Sequence, residues 1–315
     1  MSTRSHSSWT RADPDEVAAN DGAWPELPYE AWRTTRDTLH MYLQIVGKVR
    51  LALAPMEPQW AQVPLYVTAR GLNTSPIPHP AGIFDIDVDF VDHVVAVRTV
   101  GGSVKRVRLE PPRSVADFYA ELMGALADAG VPVTITELPS EVSDPIPFPD
   151  DVEHTSYESE YATRFWRALV SVDAVMKEHR ARFRGKTSPV EFFWGTFDLA
   201  YMLFSGRPAD PPPGADMITR LAADAELVCL GFWPGDARLN EAAFFAYTFP
   251  HPEGIERAQV GPGAASWRAE MGEFILPYEA VRTAADPRRA LLDFLESTSR
   301  AGAGLAGWAE VPASG

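Results

Sequence analysis

A duplicated segment near the two ends of the chain constrains the fold more than any other sequence feature. Residues 27–37 read LPYEAWRTTRD and residues 276–286 read LPYEAVRTAAD, and eight of the eleven positions are identical. A second similarity relates residues 32–65 to residues 166–199, and both of these stretches carry two tryptophans 28 positions apart. Repetition of this kind favours a fold built from related units that face each other. The two repeats have different offsets, so which of them reflects structural equivalence stays open.

The order of the predicted secondary structure also repeats. Apolar residues recur with a helical period in four segments, and β-branched and aromatic runs between them predict strands. Helices are expected at residues 35–50, 115–129, 156–183 and 287–300, and strands at 63–69, 84–90, 94–99, 104–109, 131–136, 192–204, 226–232, 242–249 and 273–278. This order predicts an α+β fold with two related halves, each a mainly antiparallel curved sheet with two flanking helices, related by a pseudo-twofold axis.

Polar and proline-rich segments divide the chain into five parts. Residues 1–26 are polar and predict a flexible leader, and residues 309–315 form a short tail. Residues 138–151 carry four prolines and four acids, which is typical of a linker. The N-terminal α+β half is therefore expected at residues 27–137 and the C-terminal α+β half at residues 152–308.

Composition limits the possible partners. The 315 residues are 46% hydrophobic, which is enough for a large core, and carry a net charge of −15, which disfavours binding to a nucleic-acid backbone. The single cysteine, Cys229, excludes an intrachain disulfide, a four-cysteine zinc site and an iron–sulfur cluster held by this chain alone. No signal-peptide core and no apolar run of about 18 residues is present. We expect a cytoplasmic protein without a membrane or nucleic-acid partner, and its oligomeric state stays open.

Several segments spread over residues 27–308 carry a family resemblance. They include VPLYVTARGLNTSPIP, FDIDVDFVDH, SVADFYAELMGALADAG, RFRGKTSPVEFFWGTFDLA and GFWPG, together with both copies of LPYEA. In these segments the chain resembles a bacterial family catalogued as domain of unknown function 5996. The resemblance implies membership of that family and a bacterial origin. It supplies no reaction, cofactor or catalytic residue for this chain.

Common catalytic motifs are missing or incomplete. Gly185, Lys186 and Thr187 resemble the end of a phosphate-binding loop, but Arg180 occupies the upstream position where that loop requires glycine. The sequence also has no GxGxxG opening a helix after a strand, no HExxH and no GxSxG. Nucleotide-binding Rossmann chemistry, zincin proteolysis and an α/β-hydrolase triad are therefore disfavoured, and no organic cofactor is expected.

Three aspartates alternate along one predicted strand. Asp85, Asp87 and Asp89 project from the same face of that strand, where three like charges need a cation, positive partners or water. A metal site is one interpretation. The favoured interpretation is an exposed ion ladder, because arginines occur at matching positions of the next two strands, at Arg98, Arg106 and Arg108.

Basic residues concentrate at the ends of two predicted helices. Arg184 and Lys186 follow the third helix, and Lys48 lies near the end of the first. Such cations often only complement the negative end of a helix. Alternatively, they converge on the seam between the halves and bind a carboxylate or phosphate. The predicted substrate-binding residues are therefore Arg70, Lys48, Arg184, Lys186, Arg207 and Trp194.

Two histidines and one aspartate are candidates for acid/base chemistry. His40 forms a polar stripe with Gln44 and Lys48, which is either the solvated side of the first helix or the wall of a cleft. His154 precedes the third helix, where it is either part of a capping loop or a general acid/base. Asp198 interrupts the apolar run FFWGTFDLAYMLFSGR, and a buried carboxylate needs a partner or a raised pKa.

These observations leave three hypotheses about function. The favoured one is an enzyme that needs no organic cofactor and transfers protons in a small anionic substrate, with Asp198, His154 and His40 as catalytic candidates. The second is a non-catalytic protein that binds a small carboxylate or phosphate in the same basic pocket. The third is a mononuclear metal enzyme with His40, His154 and a carboxylate as ligands.

Overall fold

A computed structural model of the protein describes residues 23–309. Residues 1–22 of the predicted leader and residues 310–315 of the predicted tail lie outside the described part of the chain. The remaining predictions of secondary structure can be compared with the structure directly. Its helices and strands confirm the α+β class, with antiparallel pairing in two separate sheets.

The first sheet contains six strands from the N-terminal half. They are β1 (Tyr66–Val67), β2 (Gly71–Asn73), β3 (Ile77–His79), β4 (Gly82–Asp89), β5 (Val94–Thr99) and β6 (Val104–Arg108). Their order in space is β1-β2-β4-β5-β6, with β3 also paired to β4, and every pairing is antiparallel. Short connections suffice because consecutive antiparallel strands can be joined by tight turns.

The second sheet contains seven strands from the C-terminal half. They are β7 (Lys186–Thr187), β8 (Glu191–Phe193), β9 (Asp198–Pro208), β10 (Ala225–Trp233), β11 (Ala243–Phe249), β12 (Ser266–Arg268) and β13 (Glu273–Pro277). Their order is β12-β13-β11-β10-β9-β7, and β8 pairs with the other end of β9. The pairing is again antiparallel throughout.

Within residues 23–309, six α-helices accompany the two sheets. They are α1 (Tyr29–Leu53), α2 (Val115–Asp128), α3 (Ser159–Arg180), α4 (Met217–Ala222), α5 (Tyr278–Arg282) and α6 (Pro287–Leu305). Local sequence explains the two starts that were predicted most closely. Ser114 and Asp117 form a reciprocal capping box before α2, and Asp286 accepts a hydrogen bond from the Arg289 amide before α6.

The two sheets are linked through the backbone and through a shared core. Leu65, just before β1, exchanges both backbone hydrogen bonds with Phe192 of β8, at 2.9 and 2.8 Å. On one face of the second sheet, Leu199 and Tyr201 are fully buried within the core that also includes α1, α3 and α6. Side chains on the opposite face, among them Ala200, form a separate apolar cluster. That second face is the one that carries the candidate site.

Two predicted strands differ from the structure. The run from 192 to 204 is broken by a turn at residues 194–197, so Asp198 begins β9 instead of lying within a longer strand. Phe197 has a left-handed φ of 63°, which an extended strand cannot accommodate. Residues 131–136 form no strand, and Pro132 within them lacks the N–H that a ladder requires.

The terminal repeat has only a local structural counterpart. In both copies a proline immediately precedes the helix that begins at the next tyrosine, Tyr29 in α1 and Tyr278 in α5. Helix α1 continues for 25 residues, whereas α5 ends after 5. The strand orders of the two sheets also differ, and the predicted pseudo-twofold relation is not confirmed.

The aspartates of β4 pair with arginines. Arg98 contacts Asp87 and lies 3.9 Å from Asp85, as the ion-ladder interpretation predicted. Asp89 differs, because it is buried and its Oδ2 accepts a hydrogen bond of 2.6 Å from Arg70 Nε. Arg70 is therefore paired within the first sheet and does not line the cavity described below.

Candidate functional site

A cavity of about 560 Å³ lies on the second face of the second sheet. Its floor consists of alternate side chains from three neighbouring strands, which the antiparallel register brings together: Ala200 and Met202 of β9, Leu227 and Cys229 of β10, and Phe245 and Tyr247 of β11. Because successive side chains of a strand point to opposite faces, the intervening residues remain in the main core. The floor is consequently apolar, as in many small-molecule sites.

The walls and the cover come from segments outside the sheet. Trp60, in the 3₁₀ turn Pro58–Trp60, forms part of one wall, and Trp194 lies in the turn before β9. Helix α4 and its flanking residues cover the cavity. The Trp60 Nε1–H donates a 2.9 Å hydrogen bond to the backbone oxygen of Ile218 in α4, which connects this wall to the cover.

Asp198 lines the cavity at the start of β9 and is 8% exposed. Burial raises the pKa of its carboxyl group to about 7, against the effect of a hydrogen bond from the Thr196 hydroxyl, and the nearby charges of Glu141 and Glu273 raise it further. The Thr196 hydroxyl donates to Oδ1, while Oδ2 has no protein hydrogen-bond partner within residues 23–309. A buried carboxyl group with a free oxygen and a pKa near neutrality suits proton transfer.

Two further acids line the same cavity. Burial raises the pKa of Glu273, the first residue of β13, to about 7, and Arg238 opposes the shift. Glu141 is exposed as a residue, but its carboxyl group lies against Gly195. Burial of that group and the charge of Asp216 raise its pKa. The three acids lie far apart in the chain and meet only through the tertiary fold.

Backbone strain is concentrated around the cavity. Six non-glycine residues of the described chain have positive φ, and three of them, Gln59, Trp60 and Glu141, line the cavity. A fourth, Phe197, immediately precedes Asp198. Such conformations cost of the order of 1–3 kcal/mol each and often occur at functional sites, where surrounding contacts hold them.

Two glycines allow the wall to pack closely. A Cβ atom at Gly47 of α1 would collide with the ring of Trp194, whose Nε1–H donates a 2.9 Å hydrogen bond to the Val63 oxygen. A Cβ atom at Gly195 would collide with the carboxylate of Glu141. The absence of both side chains therefore permits the observed positions of Trp194 and Glu141.

The polar stripe on α1 supports this wall from behind. His40 is buried, and its Nε2 lies 3.0 Å from the backbone oxygens of both Trp194 and Gly195. Burial, together with the charge of Arg36, lowers the pKa of His40 to about 3, so the ring is neutral and donates from Nε2. The stripe is thus not solvated, and His40 positions the turn that precedes Asp198.

The other two members of the stripe hold the predicted linker. Gln44 donates a 2.7 Å hydrogen bond to the Ser140 backbone oxygen and accepts one of 3.0 Å from the Ser140 amide. Lys48 Nζ donates to the Ser140 hydroxyl at 2.9 Å and lies 5.7 Å from the centre of the Trp194 ring. These contacts fix Ser140 and therefore the position of Glu141.

His154 lies elsewhere. Its Nδ1 is 2.8 Å from Oδ2 of the fully buried Asp151, whose other oxygen accepts hydrogen bonds from the Glu153 and His154 amides. This arrangement matches the capping-loop interpretation, and His154 does not line the cavity. Within residues 23–309 no group of three or more His, Cys, Asp or Glu side chains is placed to hold a metal ion.

The predicted anion-binding residues are not assembled around Asp198. Arg70 pairs with Asp89, Arg207 pairs with Glu226 at 2.7 Å, and Arg184 and Lys186 are exposed outside the cavity lining. Across residues 23–309, no basic side chain lies within ion-pairing distance of Asp198. Of the predicted site residues, the cavity lining contains Asp198 and Trp194, while His40 and Lys48 contact that lining from behind.

Sequence reasoning missed two acids and most of the aromatic residues of the cavity, including two tryptophans. Glu273, Glu141, Trp60 and Trp233 line it. Glu273 gave no signal of a site, because a glutamate at the start of a strand is ordinarily solvated. The sequence alone could not place that strand three positions away from β9 in the sheet.

A family model matches the chain over residues 24–313, and its description is a family of unknown function. The chain belongs to this family, DUF5996. The match spans both sheets, so the cavity and the segments that cover it all fall within the family region. No curated protein and no solved structure matches the chain. None of the helices within residues 23–309 has the length and apolarity needed to cross a membrane.

Proposed function

We propose that the protein is an enzyme that transfers protons in a small, largely apolar substrate, with Asp198 as general base and Glu273 as general acid. The observation that carries this proposal is the presence of both carboxyl groups in one apolar cavity, each with its pKa raised to about 7 by burial. General acid/base groups act best when their pKa lies near the working pH.

The two groups are separated enough to act on different atoms of one molecule. Strands β9 and β13 are three strand spacings apart in the sheet, about 14 Å between backbones at about 4.8 Å per spacing. Both side chains line the same cavity, so a bound molecule can lie between them. The ionised carboxylate of Asp198 would remove a proton, and the protonated Glu273 would donate one to the atom where negative charge develops.

The surroundings keep other groups neutral. Burial raises the pKa of the Cys229 thiol, and the pKa of the Tyr247 hydroxyl is raised by neighbouring Cys229 and by burial. Neither group competes as a base near pH 7. The apolar floor also limits water, which strengthens the interaction of each carboxyl group with charge on the substrate.

The charges of the residues that line the cavity indicate the charge of the substrate. The sequence predicted an anionic substrate, but three acidic residues line the cavity and Arg238 is the basic residue among the described lining residues. Arg238 is already paired with Asp236. Anionic groups would be repelled once the acids ionise. We therefore propose an uncharged or cationic substrate in place of an anionic one.

A reagent that responds to any buried carboxylate base tests the proposal without knowledge of the natural substrate. 5-Nitrobenzisoxazole is an uncharged planar bicycle that fits a cavity of about 560 Å³. Removal of its C3 proton by a base breaks the N–O bond and releases a coloured cyanophenolate. We expect ring opening faster than in buffer, with a rate that rises with pH and levels off above an apparent pKa of about 7.

Three variants separate the roles of the residues. Asp198→Asn should reduce the rate at least about tenfold, whereas Asp128→Asn, which changes an exposed carboxylate at the end of α2, should leave it unchanged. Glu273→Gln should have an intermediate effect because the probe needs a base more than an acid. A wild-type rate equal to that of buffer, or an Asp198→Asn variant as active as the wild type, contradicts the proposal.

Non-catalytic binding of a small molecule is the second candidate function. It is favoured by the apolar floor and by the contribution of helix α4 to the lining, which together suit the binding of an apolar molecule. Under this alternative, apolar probes bind to the wild type and to Asp198→Asn alike, and neither protein opens 5-nitrobenzisoxazole.

A further inference from the structure

The charged side chains that line the cavity are predominantly acidic. They are Asp198, Glu141 and Glu273, together with Arg238. Arg238 is already engaged, because its Nη2 lies 3.0 Å from Asp236 Oδ2 and its guanidinium is 5.0 Å from the centre of the Trp233 ring. When the three acids ionise, the cavity therefore carries negative charge that no described side chain balances.

The arrangement of Asp198 points to a missing partner. Its side chain is more than nine-tenths buried and faces the cavity, and its Oδ2 has no hydrogen-bond partner within the described chain. That oxygen is open to the cavity and accessible to a bound molecule. A ligand with N–H donors and a positive charge would satisfy it.

Aromatic faces offer a second kind of interaction for a cation. Trp60, Trp194 and Trp233 all line the cavity. Two of these rings already contact cationic side chains of the protein, since Lys48 lies over Trp194 at 5.7 Å and Arg238 over Trp233 at 5.0 Å. The face of an indole ring attracts cations, and it does so more strongly where water is excluded.

We propose that the molecule bound in this cavity carries a protonated amine on an otherwise apolar body. The ammonium group lies against Asp198, with Glu141 nearby and the more distant Glu273 adding negative charge when it ionises. The apolar body packs on the floor formed by Met202, Phe245 and their neighbours. This inference deepens the proposed function and rests on the same cavity, because it names the chemical class of the substrate. Ionised Asp198 is required, so the affinity for an amine depends on pH.

The groups that face these acids set that dependence. Besides one another, the acids face Arg238 with its partner Asp236, Asp216 near Glu141, Lys48 behind Trp194, and the neutral side chains of Tyr247 and Cys229. Both cations among them are already bound to protein groups. Asp198 and Glu273, whose pKa values are raised to about 7, are expected to change charge between pH 6 and 8.

Three probes with the same ring and nearly the same length isolate the effect of charge. Tryptamine is cationic, tryptophol is uncharged and indole-3-propionate is anionic at pH 8. Isothermal titration calorimetry with the full chain should show tryptamine binding at least about tenfold more tightly than tryptophol, with indole-3-propionate the weakest. Tryptamine affinity should rise about tenfold from pH 6 to pH 8, as one required acid with a pKa of about 7 ionises. Tryptophol affinity should not change.

Variants identify the groups responsible. Asp198→Asn should weaken tryptamine binding at pH 8 by at least about fivefold and remove most of its pH dependence. Glu273→Gln should have a smaller effect on both, and neither variant should change tryptophol binding much. Glu253→Gln, an exposed residue outside the cavity lining, serves as the control and should behave as the wild type. Equal or tighter binding of tryptophol or indole-3-propionate overturns the inference, as does an absence of tryptamine binding.

The two proposals can fail separately. If Asp198→Asn abolishes the opening of 5-nitrobenzisoxazole but the amine has no advantage over the alcohol, the acid/base proposal stands and the amine inference falls. If tryptamine binding requires Asp198 but the wild type does not open the isoxazole, the amine inference stands and the catalytic proposal falls.

Discussion

The Nε2 atom of His40 lies 3.0 Å from the backbone oxygen of Gly195, three residues before Asp198. The same nitrogen lies 3.0 Å from the Trp194 oxygen, so one buried, neutral imidazole spans the turn that introduces the candidate base. The histidine that the sequence suggested as a catalyst therefore acts on the geometry of the site. Its effect should appear first in stability.

Replacement of His40 by phenylalanine should destabilise the protein. The ring is kept, but the Trp194 carbonyl loses its donor and the Gly195 carbonyl keeps only the 3.5 Å hydrogen bond from Gln44 Nε2. This loss is expected to cost about 1–3 kcal/mol in free energy of unfolding. His40→Gln, which retains an N–H donor, should cost less. Urea denaturation at pH 7 measures both, and a phenylalanine variant as stable as the wild type would show that this hydrogen bond does not hold the turn.

Replacement of Asp198 by asparagine should change the pH dependence of stability. The pKa of Asp198 is about 7 in the folded protein and exceeds the ordinary value of 3.8. Between pH 3.8 and 7 the folded state therefore binds one more proton than the unfolded state. The stability supplied by protonated Asp198 is complete below pH 4 and is lost as the pH rises through 7. Relative to the wild type, Asp198→Asn should therefore gain about 1.4 kcal/mol per pH unit across that window.

The measurement is urea unfolding of both proteins at pH 5, 6, 7 and 8, with Asp128→Asn as the exposed control. The control should run parallel to the wild type. If the stability of Asp198→Asn also changed with pH in parallel with that of the wild type, the Asp198 carboxyl group would have the same pKa in the folded and unfolded states.

Two glycines within helices should respond in opposite ways to alanine. Gly124 in α2 has open space around its missing Cβ, so Gly124→Ala should stabilise the protein by about 0.5–1 kcal/mol through helix propensity. Gly47→Ala in α1 should instead destabilise it by about 1–3 kcal/mol, because the new methyl group meets the Trp194 ring. Thermal unfolding compares the two, and stabilisation by Gly47→Ala would contradict the packing of Trp194 against α1.

Gln44 should control the mobility of Glu141. Gln44→Met removes both hydrogen bonds to the Ser140 backbone while keeping an apolar chain of similar length. We expect a loss of about 1–3 kcal/mol in stability and faster amide hydrogen exchange at residues 139–142. Unchanged exchange there would show that the segment is held by other contacts.

Much of the local structure was accessible from the sequence. Ser114 and Asp286 predicted the starts of α2 and α6 because capping depends on residues within one turn of the helix. Asp198 was found because a charge within an apolar run is locally anomalous. Its position at a strand start was missed, since the turn at residues 194–197 depends on His40 and Glu141 from distant parts of the chain.

The residues that line the cavity were harder to predict from the sequence, because they come from distant parts of the chain. Glu273 and Asp198 line the same cavity only because β11 and β10 connect β13 and β9 within one sheet. No local sequence pattern encodes that strand order. Basic residues, in contrast, were prominent in the sequence. Arg70 and Arg207 turned out to be paired with Asp89 and Glu226, neither of which is adjacent in the chain.

The ionisation of the Asp198 carboxyl group tests the central claim most directly, because both proposals require it to change charge near neutrality. Side-chain carboxyl ¹³C resonances of the wild type can be followed by NMR from pH 4 to 9, with the Asp198 signal identified by its absence in Asp198→Asn. The structure predicts a midpoint of about 7. A midpoint near the ordinary value of 3.8 would contradict the account of the cavity as an acid/base site.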